Sequence, residues 1–250
     1  MHLKTIQASA LRSCFEVLKD VLNDVNMCFT SDGMSITALD NAKVALINME
    51  LRAEQFEEYE CNENITAGVN MANLFKLFKI ITTSDVLSID IHDRDLMYIT
   101  IENASKNSVT KFELALLWIN EDILGLPDIP RQCTTIMPSV DFQRICRDMG
   151  ILSNDITICR DKNLLKFSCE GDFAKQHTAI DTEQDDFDGK MGERYSLKYI
   201  NLFTKATNMC STMKIQQSSP TDKMPIIFVY NIANLGQIEF LLAAKLDPAN

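Results

Sequence analysis

Along this chain the apolar positions follow two rhythms in turn. Spacing of i, i+3, i+4 and i+7 predicts an amphipathic helix, and strict alternation predicts a half-buried strand. The helical rhythm occurs four times. Ser9 to Leu22 gathers Leu11, Cys14, Phe15, Leu18 and Leu22 on one face. Met71 to Ile81 does the same with Met71, Leu74, Leu77, Phe78 and Ile81. Ser139 to Met149 uses Phe142, Ile145, Cys146 and Met149, and Tyr195 to Ala206 uses Tyr199, Ile200, Leu202 and Phe203. In the third stretch Ser139 reads as the N-cap, and Asp141 places a negative charge in the first turn, where the helix dipole favours it.

Between these helices the rhythm shortens to two. Met34, Ile36 and Ala38 alternate with polar residues after Asp32-Gly33, a pair suited to a tight hairpin turn. Val44 to Leu51, Val86 to His92, Leu96 to Ile101 and Val109 to Leu117 also read as strands. A second hairpin is expected from Ile156 to Cys159 and Leu164 to Cys169 around Asp161-Lys162-Asn163. Met213 to Gln217, Ile226 to Tyr230 and Gln237 to Ala243 close the chain as strands.

The order helix, strands, helix, strands thus occurs twice, with corresponding helices about 125–130 residues apart. Between the two copies, Asn120 to Pro130 is acidic and carries one glycine and two prolines, so it reads as an extended connector. Ile123, Leu124, Leu126 and Ile129 are too apolar for a free linker and are expected on a surface. The division that follows is an N-terminal domain at 1–117, a connector at 118–131 and a C-terminal domain at 132–250.

Charge changes this picture. The chain of 250 residues carries a net charge of −11, which argues against a generic nucleic-acid binder. Yet each of the four helices sets two basic residues opposite its apolar face: Arg12 and Lys19, Lys76 and Lys79, Arg144 and Arg147, Lys198 and Lys205. A solvated helix face commonly carries lysines. Repetition in four matched places points instead to a basic surface of helices backed by sheets, one that attracts phosphates without reading bases. The eight cysteines lack a Cys-x-x-Cys pair and the three histidines are scattered, so no metal site is expected, and the thiols are expected reduced and mostly buried. No apolar run reaches the ~18 residues of a membrane span.

Full-length order and spacing resemble the sliding clamps of DNA replication, the family of proliferating cell nuclear antigen, of which this chain looks like a divergent member. The resemblance is carried by Leu124 to Pro127, Met137 to Met149, Tyr199 to Thr207 and Pro225 to Tyr230, with Gly68-Val69-Asn70 and Leu39-Asp40. It implies an α+β DNA clamp fold of two topologically similar domains, helices backed by antiparallel sheets, in a head-to-tail homotrimeric ring. It also implies a processivity factor that encircles duplex DNA, needs no cofactor, is opened by an ATP-driven clamp loader, and tethers DNA polymerase and repair enzymes. The eight basic residues are then the DNA-facing positions. Work would take place in the nucleus, or at cytoplasmic replication sites where a genome replicates there.

The resemblance further implies a pocket for peptides carrying a glutamine, an aliphatic residue and two aromatics, formed by Leu39, Val44, Leu46, Leu124, Leu126, Pro127, Pro225, Leu241, Leu242 and Ala243. It implies a subunit interface between the strand around Val109, Phe112 and Leu114 and the strand around Phe173, Lys175, His177 and Ile180. Lys162 matches a ubiquitin-accepting lysine. Four residues bordering the pocket depart from the family pattern: Ala244 stands for proline, Leu241 and Arg131 for aromatics, and Lys43 for histidine. The alternatives are a checkpoint-type heterotrimeric clamp subunit and a Mg²⁺ enzyme using Asp93 and Asp95 or Asp185, Asp186 and Asp188. The chain lacks the phosphate-binding glycine loop and nucleophile elbow that would favour the enzyme, so no catalytic residue is expected.

Overall fold

A computed structural model describes residues 1–120, 124–182, 187, 189–218 and 224–245. They form two compact units. The first takes residues 1–43, 47–126 and 231–238, and the second takes 44–46, 127–230 and 239–250. A single cut in the sequence misses the two short segments, 44–46 and 231–238, that cluster away from their chain neighbours.

The first unit contains β1 (His2–Thr5), α1 (Ala8–Leu18), β2 (Asp24–Thr30), β3 (Gly33–Leu39), most of β4 (Ala45–Arg52), β5 (Glu58–Glu60), β6 (Ile65–Asn70), α2 (Met71–Phe78), β7 (Val86–Asp90), β8 (Leu96–Asn103) and β9 (Ser108–Ala115). Its strands run in the orders β5-β1-β7-β8-β9 and β4-β3-β2-β6. The second unit contains β10 (Cys133–Pro138), α3 (Ser139–Met149), β11 (Asp155–Asp161), β12 (Leu164–Glu170), β13 (Lys175–Asp181), β14 (Lys190–Ser196), α4 (Leu197–Phe203), β15 (Thr212–Gln217), and most of β16 (Ile226–Ile232) and β17 (Gly236–Leu242). Its orders are β10-β15-β16-β17 and β13-β12-β11-β14.

Apart from β5, the two units repeat one another strand by strand. β1 pairs antiparallel with β7 as β10 does with β15, and β2 with β6 as β11 does with β14. At the start of α2 the Met71 amide donates to the Asn23 carbonyl at 2.8 Å; at the start of α4 the Leu197 amide donates to the Asn154 carbonyl at 2.9 Å.

Each core lies between helices and sheet. In the first unit Phe15 and Phe78 meet edge to face at 4.9 Å over Leu3, Ile89 and Ile99, all fully buried. In the second, Phe142 stacks on Phe228 at 5.3 Å and Phe203 on Phe240 at 4.6 Å. Strand alternation turns Phe228, Tyr230 and Phe240 toward these helices and turns Ile227, Val229, Glu239 and Leu241 to the opposite face. Gly33, at φ +144°, makes the β2–β3 turn possible: a Cβ there would sit 1.9 Å from the Leu51 carbonyl oxygen.

Several element boundaries differ from the sequence expectation. α1 stops at Leu18, because the amides of Asp20 and Val21 reach back only three residues, to Val17 and Leu18. α2 stops at Phe78 in the same way, with Ile81 donating to Phe78. Ser139 is not the N-cap of α3. It is the first helical residue, fully buried, its amide donates to the Ser211 carbonyl, and Pro138 holds the cap position without a side-chain bond. Tyr195 belongs to β14, paired with Ile156, and Lys205 lies in a 3₁₀ segment, Thr204–Met209, beyond α4. Phe173 precedes β13. All eight cysteines are free, but only Cys14, Cys133, Cys146 and Cys169 are buried; the other four are partly exposed.

Candidate nucleic-acid interface and docking surface

In the first unit α1 and α2 pack side by side and bring their basic residues together. Arg12 is half-buried and its Nη1 approaches the Ile81 carbonyl at 3.5 Å, just past the end of α2. Lys19 caps α1, pairs with Asp20 at 2.7 Å and lies 5.1 Å from the centre of the Phe75 ring, a cation–π distance. Lys76 bonds the Asn73 side chain at 3.0 Å and is exposed, as is Lys79 at the end of α2.

In the second unit α3 packs on α4 and on the 3₁₀ segment that follows. Arg144 and Arg147 are 63% and 71% exposed, next to Asp141 at 3.2 Å and Asp148 at 3.6 Å. Exposed pairs of this kind are worth little, so both guanidiniums remain free to exchange toward a phosphate. Lys198 and Lys205 are exposed as well. Each unit therefore presents four cations on the side of its helices away from the core.

The expected pocket residues belong to both units, and each group is described within its own unit. In the first unit Leu39 and Leu124 line a cavity of about 290 Å³ with Val25, Cys28 and Ile65. In the second, Leu46 and Leu241 join an aliphatic cluster with Ile129, Ile227, Val229 and Met224. Val44 and Pro225 are half-buried, and Leu126, Pro127 and Ala243 are exposed. Leu242 does not line this cluster. It alternates with Leu241, faces the core and is fully buried. Ile123 lies outside the described residues. Ile129, Ile227, Val229 and Met224 were not among the expected pocket residues. Alternation in β16 marks Ile227 and Val229, and the apolar character of the connector marks Ile129, which is only 8% exposed in a run whose other residues from 124 to 132 are exposed.

The connector is latched here by three consecutive residues: Ile129 in the cluster, the Pro130 carbonyl accepting from the Ser218 hydroxyl, and Arg131 paired with Glu239 at 3.0 Å.

The strands expected at a subunit interface are both sheet edges. β9 ends one sheet of the first unit and β13 ends one sheet of the second. On β9, Val109 is exposed and Phe112 and Leu114 are half-buried; on β13, Lys175 and His177 are exposed and Ile180 is half-buried. Phe173, just before β13, is 78% exposed. Edge strands with apolar side chains on show are templates for pairing with another strand.

The family model described as the proliferating cell nuclear antigen N-terminal domain matches residues 1–123, and that of its C-terminal domain matches residues 125–245. The chain belongs to the proliferating cell nuclear antigen family. Over 257 aligned residues it is 34% identical to a protein described as a probable DNA polymerase sliding clamp 1 of Paramecium bursaria Chlorella virus 1, covering 98% of this chain and 97% of that one. Over 251 residues it is 32% identical to the proliferating cell nuclear antigen of Chaetomium thermophilum, covering 96% of each chain.

Proliferating cell nuclear antigen is a scaffold rather than an enzyme. The Asp93 carboxylate accepts the amides of Asp95 and Leu96 at 2.9 and 3.0 Å, so it forms a turn. Asp185, Asp186 and Asp188 lie outside the described residues. Among the described residues no cluster of His, Cys, Asp and Glu has the make-up of a metal site. Of the residues expected to depart from the family pattern, Lys43 is exposed in a left-handed turn at φ 56°, and Ala244 is half-buried. Lys162 also sits in a left-handed turn, at φ 52°, with its side chain exposed and its carbonyl held by Arg160 Nε at 2.5 Å.

Proposed function

We propose that this chain is a replication sliding clamp, a non-enzymatic processivity factor that encircles duplex DNA and tethers DNA polymerase to it. The observation that carries the reading is the pairing of a two-domain clamp match with cations on all four helix faces of an acidic chain. Three copies joined β9 to β13 would close a head-to-tail ring and cover both exposed edges. Arg12, Lys19, Lys76, Lys79, Arg144, Arg147, Lys198 and Lys205 would then face the duplex. Topological linkage explains how so acidic a protein stays on DNA: each phosphate contact is weak and exchangeable, which permits sliding, while the acidic remainder repels non-specific contacts.

Partners dock by short peptides with a glutamine, an aliphatic residue and two aromatics, seated on the connector. An anchor-in-pocket mode places most of the energy in a few buried side chains. An ATP-driven loader opens the ring, Lys162 is the modification site, and the connector, 118–131, divides the sequences of the two clamp domains. Work proceeds in the nucleus or at cytoplasmic replication sites. Both named relatives are of the replicative kind, so the checkpoint-type alternative gains no support.

The test is mass and primer extension together. Light scattering is expected to give about three times the chain mass of 28.3 kDa. Purified clamp with polymerase is expected to lengthen products on primed DNA. A monomer at high concentration, or no lengthening with loader present, would contradict the reading.

A further inference from the structure

One sheet edge is treated alike in the two units. β6 ends its sheet in the first unit, and β14 ends the matching sheet in the second. Gly68 on β6 lies opposite Asn26, and Arg194 on β14 lies opposite Thr157. At both positions the carbonyl points away from its own ladder and accepts an amide from a segment crossing the edge. Leu117 donates to Gly68 at 2.8 Å, and Lys245 donates to Arg194 at 2.7 Å. On β6 the crossing is an isolated bridge, and Gly68 permits it, because a Cβ there would sit 2.2 Å from the Leu117 carbonyl oxygen. Outward-pointing backbone groups recur every second residue of an antiparallel strand, so Thr66 and Asn64 are in phase with Gly68. Both are exposed, and their backbone groups have no partner on that side among the described residues. Beside them, within the first unit, is a cavity of about 400 Å³ whose lining includes Thr66, Asn64, Trp118 and Ile119. Trp118 is 86% exposed, and the cavity's charges are of both signs, Glu63 and Arg94 among them. Unpaired strand groups beside an uncovered indole match an extended polypeptide backbone that carries an apolar side chain.

We propose that the free edge of β6 beside Trp118 is a docking site for an extended peptide segment of a partner protein. The segment adds as a strand at Thr66 and Asn64 and sets an apolar side chain against the indole. The site lies wholly in the first unit and rests neither on ring closure nor on the docking reading above. The edge already accepts chain backbone two residues along, at Gly68, so the added strand continues an existing pattern. Main-chain pairing carries the affinity, and Trp118 carries the preference for an apolar residue. Charges of both signs around the cavity select neither an acidic nor a basic segment.

Trp118 is the sole tryptophan of the sequence, so selectively excited emission of the full-length protein reports on this site alone. The probes are blocked peptides Thr-Val-Xaa-Val-Thr, with Phe, Leu, Glu or Lys at the centre. The Phe and Leu peptides are expected to give a saturable blue shift and to bind at least about threefold more tightly than the Glu and Lys peptides. Phe peptides N-methylated at alternate amides separate the two edges of the added strand. Methylation of one set is expected to weaken binding about tenfold, and methylation of the other to change it less than about threefold. Thr66→Pro removes an outward amide that carries no bond to β2, and is expected to weaken the Phe peptide about tenfold. Trp118→Ala, read by anisotropy of a labelled Phe peptide, is expected to weaken it by a similar factor. The N-methyl comparison on wild type covers the case where Thr66→Pro folds poorly. The proposal is overturned by no saturable shift with any peptide, by equal effects of the two methylated sets, or by unchanged binding in Trp118→Ala. N-acetylphenylalanine amide binding as tightly as the Phe peptide would also overturn it, because backbone pairing would then add nothing. An emission shift of the protein alone on dilution would assign the edge to a second copy of the chain and overturn it too.

Discussion

In the first unit Arg12 and Lys19 are half-buried, one reaching the Ile81 carbonyl and the other resting on Phe75 and Asp20. In the second, the matched Arg144 and Arg147 stand 63% and 71% exposed, beside carboxylates of their own helix. The frameworks correspond down to the hydrogen bond that starts α2 and α4, but the cations are placed differently: Lys19 caps α1, whereas Arg144 and Arg147 both lie within α3. Packing makes α1's cations partly structural, because their stems and heads are shared with α2. The cations of α3 hold nothing in place. Two repeats with one backbone plan therefore differ: Arg12 and Lys19 join helices as well as carrying charge, whereas Arg144 and Arg147 are exposed.

The largest expected effect comes from breaking the core under one helix pair. Phe203→Ala removes the ring that packs on both Phe228 and Phe240 and is expected to cost about 3–5 kcal/mol by urea unfolding. Phe15→Ala is expected to be as costly, and hydrogen exchange should place each loss in its own unit. Loss of protection confined to the other unit would contradict the placing of either ring in its core.

Next come the charges. Arg144→Glu with Arg147→Glu is expected to leave stability within about 0.5 kcal/mol. The same change should cut clamp-stimulated synthesis and flatten the salt dependence of DNA association by about two in slope. Arg12→Gln with Lys19→Gln is expected to do the reverse, costing about 1–2 kcal/mol of stability through lost packing, with a smaller loss of stimulation. Equal losses of stimulation from the two pairs would erase the distinction between the units.

Acid provides a finer contrast. Burial raises the Asp85 carboxyl, but the Thr82 amide and the Asn103 side-chain amide outweigh it, so the group titrates below the ordinary range. A carboxyl lowered on folding contributes stability above its unfolded value and loses it as pH falls through the folded one. The first unit is therefore expected to lose protection on acidification below about pH 4, and Asp85→Asn to blunt that loss, as read by exchange at graded pH. The smallest effect concerns the matched thiols. Burial pushes Cys14 of α1 and Cys146 of α3 well above the usual thiol range. Both are expected to resist iodoacetamide until urea unfolds their unit, while Cys61, half-exposed, reacts first.

What was legible in the sequence had a period. The helix faces of Leu11, Cys14, Phe15 and Leu18, and of Phe142, Ile145, Cys146 and Met149, are buried as their spacing requires. The repeat was legible for the same reason, since it recurs over half the chain. Boundaries were less so. β10 runs directly into α3, with Ser139 anchored to Ser211, so a serine that looks like a cap is packed instead. Leu241 and Leu242 are chemically alike and both buried, and only the alternation of β17 turns one to the aliphatic cluster and the other to the core under the helices. Ile129 has no apolar neighbours at regular spacing, and its place in the cluster depends on Ile227 and Val229, about 100 residues away in sequence. Arg160 was least legible of all. It is fully buried in β11, bonding Thr135 at 2.7 Å and the Lys162 carbonyl, where a charged residue in an alternating strand reads as surface.

Encirclement of DNA is the central claim, and topology tests it most directly. Protein loaded onto a nicked circular plasmid and passed through a gel-filtration column is expected to elute with the DNA. Cutting the plasmid once should release it, because a closed ring slides off a free end. Equal retention on circular and linear DNA, or release from both alike, would contradict the account.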